Sequence, residues 1–454
     1  MLRCLTRITL SAALGLTALP AAAQNQMAPG DPGVHAAQPL PGGAVTAWTL
    51  AADRLGGGVS NWRTLALMHM AMHDALNAAE PRYARWSAAT RTEPRPREAA
   101  PLVAMAAAAY QVLLARHPES AAPEADRLFR AAMGAERPGP TVDAAIRLGT
   151  AVARAQLAAH AVPPGLPQPF ATGTQPGRWR PTPPGEANAV SNRERPFLQG
   201  AGLSARPPNP LDSPRYLADL EEIRVLGSAG STLRTAEQSE AATFWAEQSS
   251  QRGYVHMAVA LLAANPRPGG VWEEARAMSQ LSVALADSAI LAWDGKRRFL
   301  FWRPVTALAV GSPGAPTEPG WKPFIETPPH PDHPSGHATD CGAGAGVIEG
   351  IFDGDIGPVY YSAGGAPGQP GRRFDRVSQA AVECASSRLW AGVHFRTAND
   401  EGLRLGAEIA RRALASVPPL GQQRARTGAL RCSPGESHVG PVTARLCASS
   451  EPRT

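Results

Sequence analysis

The sequence predicts an all-α fold, and three observations carry that reading. Apolar residues recur three and four apart in many long segments. Alternating apolar and polar runs of the strand type are scarce. The 44 glycines and 45 prolines concentrate between the periodic segments and seldom interrupt them. The expected architecture is a four-helix bundle around the chemistry-bearing segments, a second helical set from the N-terminal half, and long Pro/Gly-rich loops.

Residues 1–23 read as a secretory signal. Arg3 and Arg7 form its charged end, Ile8–Leu19 its apolar run, and Ala21-Ala22-Ala23 a cleavage site before Gln24. The apolar run is shorter than the roughly 20 residues a spanning helix needs, and no later stretch is apolar for long enough. The mature protein is therefore expected to be periplasmic or secreted, without stable membrane insertion. Residues 24–60 are polar and Gly/Pro-rich and read as an extended arm. An N-terminal helical region is expected over 61–235, a catalytic helical region over 236–416 and a surface tail over 417–454.

Trp62–Ala78 is apolar around nearly its whole circumference, the mark of a buried helix. His69 and His73 are four apart on it. Without a neighbouring glutamate in the zincin arrangement, they read as structural histidines, not metal ligands. Helices follow at Pro101–Arg116, with proline in its first turn, at Ala122–Met133 and at Val142–His160. Val162–Leu211 is a long proline-rich loop containing Pro176-Gly177-Arg178-Trp179-Arg180-Pro181-Thr182-Pro183. A loop this long is usually functional or wraps the surface, and Trp179 is expected to pack.

Asp212–Leu226 is a short amphipathic helix. Thr235 and Gln238 form a capping box opening the helix that carries Phe244 and Trp245. Val255–Ala264 and Gly270–Trp293 continue helical. Asp287 and Asp294 are candidate partners for a site arginine, with a solvated carboxylate as the plainer reading of Asp294. Gly311–Gly320 is a turn-rich connection, and Asp353–Arg373 a Gly/Pro-rich rim or lid. Val377–Trp390 and Asn399–Leu414 are the last helices.

The formal charge of +6 is spread without a Lys/Arg block or an aromatic ladder. It reads as surface charge plus an anion site and gives no sign of nucleic-acid binding. Four cysteines remain once Cys4 leaves with the signal: Cys341, Cys384, Cys432 and Cys447. An even number in an oxidising compartment permits disulfides. Cys341–Cys384 would bridge two helices, and Cys432–Cys447 would close a short loop in the tail. Buried free thiols are the alternative.

The chain is organised around Thr327-Pro328-Pro329-His330-Pro331-Asp332-His333-Pro334-Ser335-Gly336-His337-Ala338-Thr339. Its prolines keep it extended as far as Ser335. The small apolar series that follows reads as a helix, so Ser335, Gly336 and His337 sit at a helix start. Backbone N–H groups and the positive dipole end favour an anion there. Upstream, Lys296 and Arg303 are seven apart, so one helix face is expected to carry both. Downstream lie Ser387-Arg388 and His394. Three cations, a hydroxyl, backbone donors and two imidazoles suit a compact, multiply charged oxyanion.

These segments resemble the signature shared by vanadium-dependent haloperoxidases and type 2 phosphatidic acid phosphatases: Lys296-x6-Arg303-Pro304, then Pro334-Ser335-Gly336-His337, then Ser387-Arg388-x5-His394. The resemblance covers most of the mature chain and is most specific from Asp287 to Gly402. It implies a helical protein of paired bundles that binds vanadate. His394 would make the single bond to vanadium. Lys296, Arg303, Arg388, Ser335 and the Gly336 N–H would bind the other oxygens, and His337 would shuttle a proton. Lys296 would also polarise hydrogen peroxide as a halide is oxidised and passed to a small organic acceptor. His330 matches a position that is histidine in bromoperoxidases, which hints at bromide. His333 stands where the family often has tyrosine.

Other readings of the same residues stay open. An exported acid phosphatase would use His394 as nucleophile and His337 as acid and base on a phosphate ester. A zinc site would draw on His330, His333 and His337 with Asp332 nearby, against repulsion from the three cations. A non-enzymatic anion-binding module would need no proton carrier at His337.

Overall fold

A computed structural model of the protein describes residues 43–420, apart from 56–59, 88–99, 135, 166–167, 183–192, 201, 316 and 363–370. The expected signal segment, the first part of the arm and the Cys432–Cys447 pair lie outside the described residues. Those residues form thirteen helices and one two-stranded sheet, so the fold is all-α.

The first helices in chain order are α1 (Gly43–Leu55), α2 (Ser60–Ala79), α3 (Pro101–Arg116), α4 (Ala122–Gly134) and α5 (Pro140–Ala159). Then come α6 (Pro214–Leu226), α7 (Ala236–Glu247), α8 (Arg252–Ala264) and α9 (Val271–Phe299). The last are α10 (Pro304–Val310), α11 (Gly336–Ile351), α12 (Val377–Trp390) and α13 (Arg396–Ser416). The capping box at Thr235 and Gln238 is present at the start of α7.

Three expectations are corrected. Residues 43–55, assigned to an extended arm, are helix α1. Its Val45, Trp48, Ala51 and Ala52 are buried at helical spacing, a signal that the Gly/Pro-rich average over 24–60 conceals. The rim segment 353–373 is not all loop. Val359–Tyr361 (β1) pairs antiparallel with Arg372–Phe374 (β2). Finally, Lys296 and Arg303 do not share a helix face. α9 runs past Trp293 to Phe299, carrying Lys296 in its last turn, and closes on Leu300 in the left-handed region at φ 47°. Arg303 is extended at φ −84°, ψ 155° and caps α10, because Pro304 disfavours a helical residue before it.

Helices α9, α11, α12 and α13 form one bundle, and α2, α3, α4 and α5 a second set. α2 packs on α9, so one hydrophobic cluster runs through both, from Trp62 and Leu65 to Leu281, Val347 and Leu405. Small residues let α13 lie close against α11. A Cβ at Gly406 would stand 2.4 Å from the Thr339 carbonyl oxygen, and one at Gly402 2.7 Å from the Ser335 carbonyl oxygen. Backbone cannot yield as a flexible side chain does. Gly406→Ala should therefore cost about 1–3 kcal/mol of stability through overpacking, read as a lower urea midpoint at unchanged slope.

The proline-rich loop also has a structural task. Trp179 N donates to Leu300 O at 2.8 Å and Trp302 N to Gly177 O at 3.0 Å, while Asp332 N donates to Phe301 O at 2.9 Å. Three extended pieces thus lie side by side, with Gly177 turning at φ +83° and Trp179 fully buried. Asp287 anchors another part of this loop by accepting from Phe197 N and Leu198 N, both at 2.8 Å. It does not pair with a site arginine, and Asp294 is exposed. His69 is structural. It is buried between Thr49 Oγ1 at 2.8 Å and Ser282 Oγ at 2.7 Å, and burial pushes its pKa down to about 3.

Candidate oxyanion site

Five segments deliver the candidate residues to one buried place. The end of α9 brings Lys296, the extended residue before α10 brings Arg303, and the start of α11 brings Ser335, Gly336 and His337. The end of α12 brings Arg388, and the turn into α13 brings His394. Lys296, Arg303, Arg388 and His394 expose 1%, 0%, 3% and 2% of their surface, whereas basic side chains are seldom fully buried without a partner.

Arg303 is the hub. Its Nη1 donates to Val393 O at 2.5 Å and to His394 Nε2 at 3.1 Å. Its Nη2 reaches His330 Nδ1 at 3.0 Å, and its Nε donates to His330 O at 2.8 Å. The His330 ring in turn lies 4.8 Å from that of Trp293. Lys296 Nζ donates to the carbonyls of Pro331, Asp332 and Pro334 at 2.8, 2.9 and 2.7 Å. The central stretch is therefore gripped from one side by α9 and from the other by Arg303.

Ser335 caps α11: its side chain accepts from Ala338 N at 3.5 Å, which leaves the hydroxyl hydrogen to donate elsewhere. The first N–H groups of α11 have no carbonyl a turn earlier to bond. A Cβ at Gly336 would meet no atom within 4 Å, so the glycine leaves open space beside them. His337 Nε2 donates to Trp245 O at 3.1 Å. Cys341 and Cys384 are joined in a disulfide. It ties α11 to α12 one turn from both His337 and Arg388.

Charge is out of balance in this cluster. Burial lowers the pKa of Lys296 well below its ordinary value, with Arg303 adding repulsion. It brings Arg303 down to about 10 and Arg388 down to about 9, Arg303 again repelling Arg388. Asp332 is the carboxylate within reach of Arg303, at 3.9 Å from Nη1, and burial pushes it up to about 7. His330, His337 and His394 are all held well below the ordinary imidazole range by burial and by the neighbouring cations. They are neutral at mid pH, with a lone pair on one ring nitrogen.

These residues fit an oxyanion. Nε and Nη1 of Arg388 are buried with no hydrogen-bond partner, and such orphan donors on a charged group are costly. A negative oxygen about 4 Å from a cation gains roughly 4 kcal/mol at an effective dielectric of about 20. A multiply charged oxyanion repeats that gain with each cation. The zinc arrangement is not formed: His333 Nε2 donates to Arg206 O at 2.8 Å and His330 serves Arg303. Among the described residues no three His, Cys, Asp or Glu side chains converge as metal ligands.

All the predicted site residues thus converge, but two features escaped sequence reasoning. One is the strip of backbone at 177–179 that holds the Trp302-Arg303 segment. The other is Asp332, 62 positions from His394 in the chain yet 3.0 Å from its ring. Asp332 is the sole carboxylate of the central stretch, the one signal that singled it out.

Residues 276–421, which contain every site residue named above, match the family model described as the VCPO second helical-bundle domain. Vanadium chloroperoxidase of Curvularia inaequalis is 28% identical over 169 residues, covering 27% of this chain and 27% of that protein. Vanadium-dependent bromoperoxidase of Ascophyllum nodosum is 32% identical over 99 residues, covering 19% of this chain and 18% of that protein. The chain thus spans about a quarter or less of the length of these relatives. Among solved structures, a bacterial vanadium-dependent iodoperoxidase superposes with a TM-score of 0.65 at 23% identity over 83% of this chain and 96% of that one. A bacterial vanadium-dependent chloroperoxidase gives 0.56 at 20% identity over 78% and 93%. At these identities the two superpositions speak for the fold.

Proposed function

We infer that this chain, which through residues 276–421 belongs to the vanadium haloperoxidase superfamily, is a vanadate-dependent enzyme that oxidises a halide with hydrogen peroxide. The carrying observation is the buried set of three cations around a neutral imidazole, with partnerless Arg388 nitrogens among them. Phosphate-ester hydrolysis needs the same set. The sequence relatives, a chloroperoxidase and a bromoperoxidase, favour the peroxidase.

Vanadate, when bound, supplies the Lewis acidity that activates hydrogen peroxide toward two-electron oxidation of a halide. His394 would hold it through Nε2, taking over the position that Arg303 Nη1 occupies against that nitrogen. Lys296, Arg303 and Arg388 would neutralise its oxygens, and the Ser335 hydroxyl and Gly336 N–H would orient them. His337, neutral and beside Arg388, is placed to accept and return a proton. We favour bromide because His330 stands where the resemblance puts histidine in bromoperoxidases. A small organic acceptor would take up the oxidised halogen.

We also propose export. The 1–23 segment has signal character, and a disulfide such as Cys341–Cys384 persists in oxidising compartments. Among the described residues no helix is long and apolar enough to cross a membrane.

The decisive measurement compares one phosphate-stripped preparation with and without orthovanadate, for bromination of a phenolic dye and for hydrolysis of a phosphate monoester. Bromination that requires vanadate and peroxide and is inhibited competitively by phosphate supports the reading. Ester hydrolysis without bromination refutes it in favour of the phosphatase. Bromination untouched by saturating phosphate refutes the shared oxyanion site.

A further inference from the structure

His394 lies between two groups of opposite character. Arg303 Nη1 stands 3.1 Å from Nε2, and Asp332 Oδ1 stands 3.0 Å from Nδ1. A guanidinium can only donate, so the nitrogen it faces is bare and the imidazole proton belongs on Nδ1, toward the carboxylate. Neither Asp332 oxygen nor His394 Nδ1 makes a well-aligned hydrogen bond, although the backbone N–H of Phe395 also faces the carboxylate and favours its charge. Such contacts often tighten only when a ligand takes the other side of the ring.

Asp332 is not free to move away. Its N–H is bonded to Phe301 O at 2.9 Å and its carbonyl to Lys296 Nζ at 2.9 Å. Its side chain is fully buried. It borders a small cavity of about 10 Å³ that is also lined by Tyr216, Phe301, His333, Phe395 and Ala398. A buried carboxylate at the edge of a cation cluster is expensive. It shields the cations from an incoming anion, so anion binding alone gives no reason for it.

We propose that Asp332 is the positioning residue for His394, holding the proton on Nδ1 and strengthening Nε2 as the donor to a coordinated oxyanion centre. This rests on the vanadate reading above. An acceptor behind a ligating imidazole orients the ring and raises its basicity, and removing such a partner typically lowers affinity about 10–100-fold.

The test separates bond formation from charge. Wild type and Asp332→Asn are compared at pH 8 for orthovanadate and for inorganic phosphate, by equilibrium dialysis and without turnover. Inorganic phosphate is held by the cations, the Ser335 hydroxyl and the Gly336 N–H without a coordination bond to His394, so loss of a negative charge should leave its affinity unchanged or raise it. Vanadate affinity should fall by about 10–100-fold. Affinities that fall together would mean a merely structural residue, and affinities that rise together a merely electrostatic one; either overturns the proposal. Ring ¹⁵N shifts of His394 in the vanadate-free protein decide the point independently. A protonated Nδ1 with bare Nε2 in the wild type supports it, and a protonated Nε2 overturns it. If the wild type shows protonated Nδ1 but retains no vanadate, the functional reading falls while the Asp332–His394 pairing stands.

Discussion

His394→Ala should abolish retention of vanadate, and His337→Ala should keep it while losing turnover. Removing an outer partner of a ligand costs roughly 10–100-fold in affinity, so removing the ligand itself should cost more. His337 lies at the start of α11 with Nε2 given to Trp245 O, and no coordination is asked of it. On the proposed reading its loss removes a proton carrier, an effect of about 10²–10⁴ on rate. Stoichiometric vanadium analysis after gel filtration, alongside bromination kinetics, measures both. Equal loss of vanadium from the two variants would refute the division of roles. Thermal unfolding of each variant guards against reading a collapsed bundle as a lost ligand.

The second large effect is on the bundle. Cys341→Ala with Cys384→Ala should lower stability by about 4 kcal/mol. The bridge spans 43 residues, and in the chain-entropy account a loop of that length restricts the unfolded chain by about this much. Both sulfurs are fully buried, so reductant should have little effect on the native protein and should mimic the double variant once the chain is unfolded. Guanidinium denaturation with and without dithiothreitol measures this. Stability indifferent to both substitution and reductant would show that the bridge does not form in the protein. Phosphate affinity should fall as well, because the bridge holds the helix of His337 to the helix of Arg388.

Much of this was legible without coordinates, and the reason differs from part to part. The limits of α3 and α12 follow from the sequence because proline at one start and unbroken helical periodicity in both are local signals. α1 does not stand out in the sequence because its short apolar stripe is diluted by the residues around it. The seven-residue spacing of Lys296 and Arg303 suggests a shared helix face, yet one helix closes at Leu300 between them and Pro304 starts the next just after Arg303. The two side chains still meet at the same stretch, because Phe301 O takes the Asp332 N–H and carries Arg303 with it.

By itself the sequence determined an all-helical chain and a set of residue types suited to an oxyanion, since periodicity, capping and donor chemistry are properties of neighbouring residues. Only the tertiary structure decided which carboxylate stands behind His394, which arginine nitrogens lack partners, and which loop secures the Arg303 segment. Those depend on contacts between residues tens of positions apart, and their distances follow from how helices and extended segments pack.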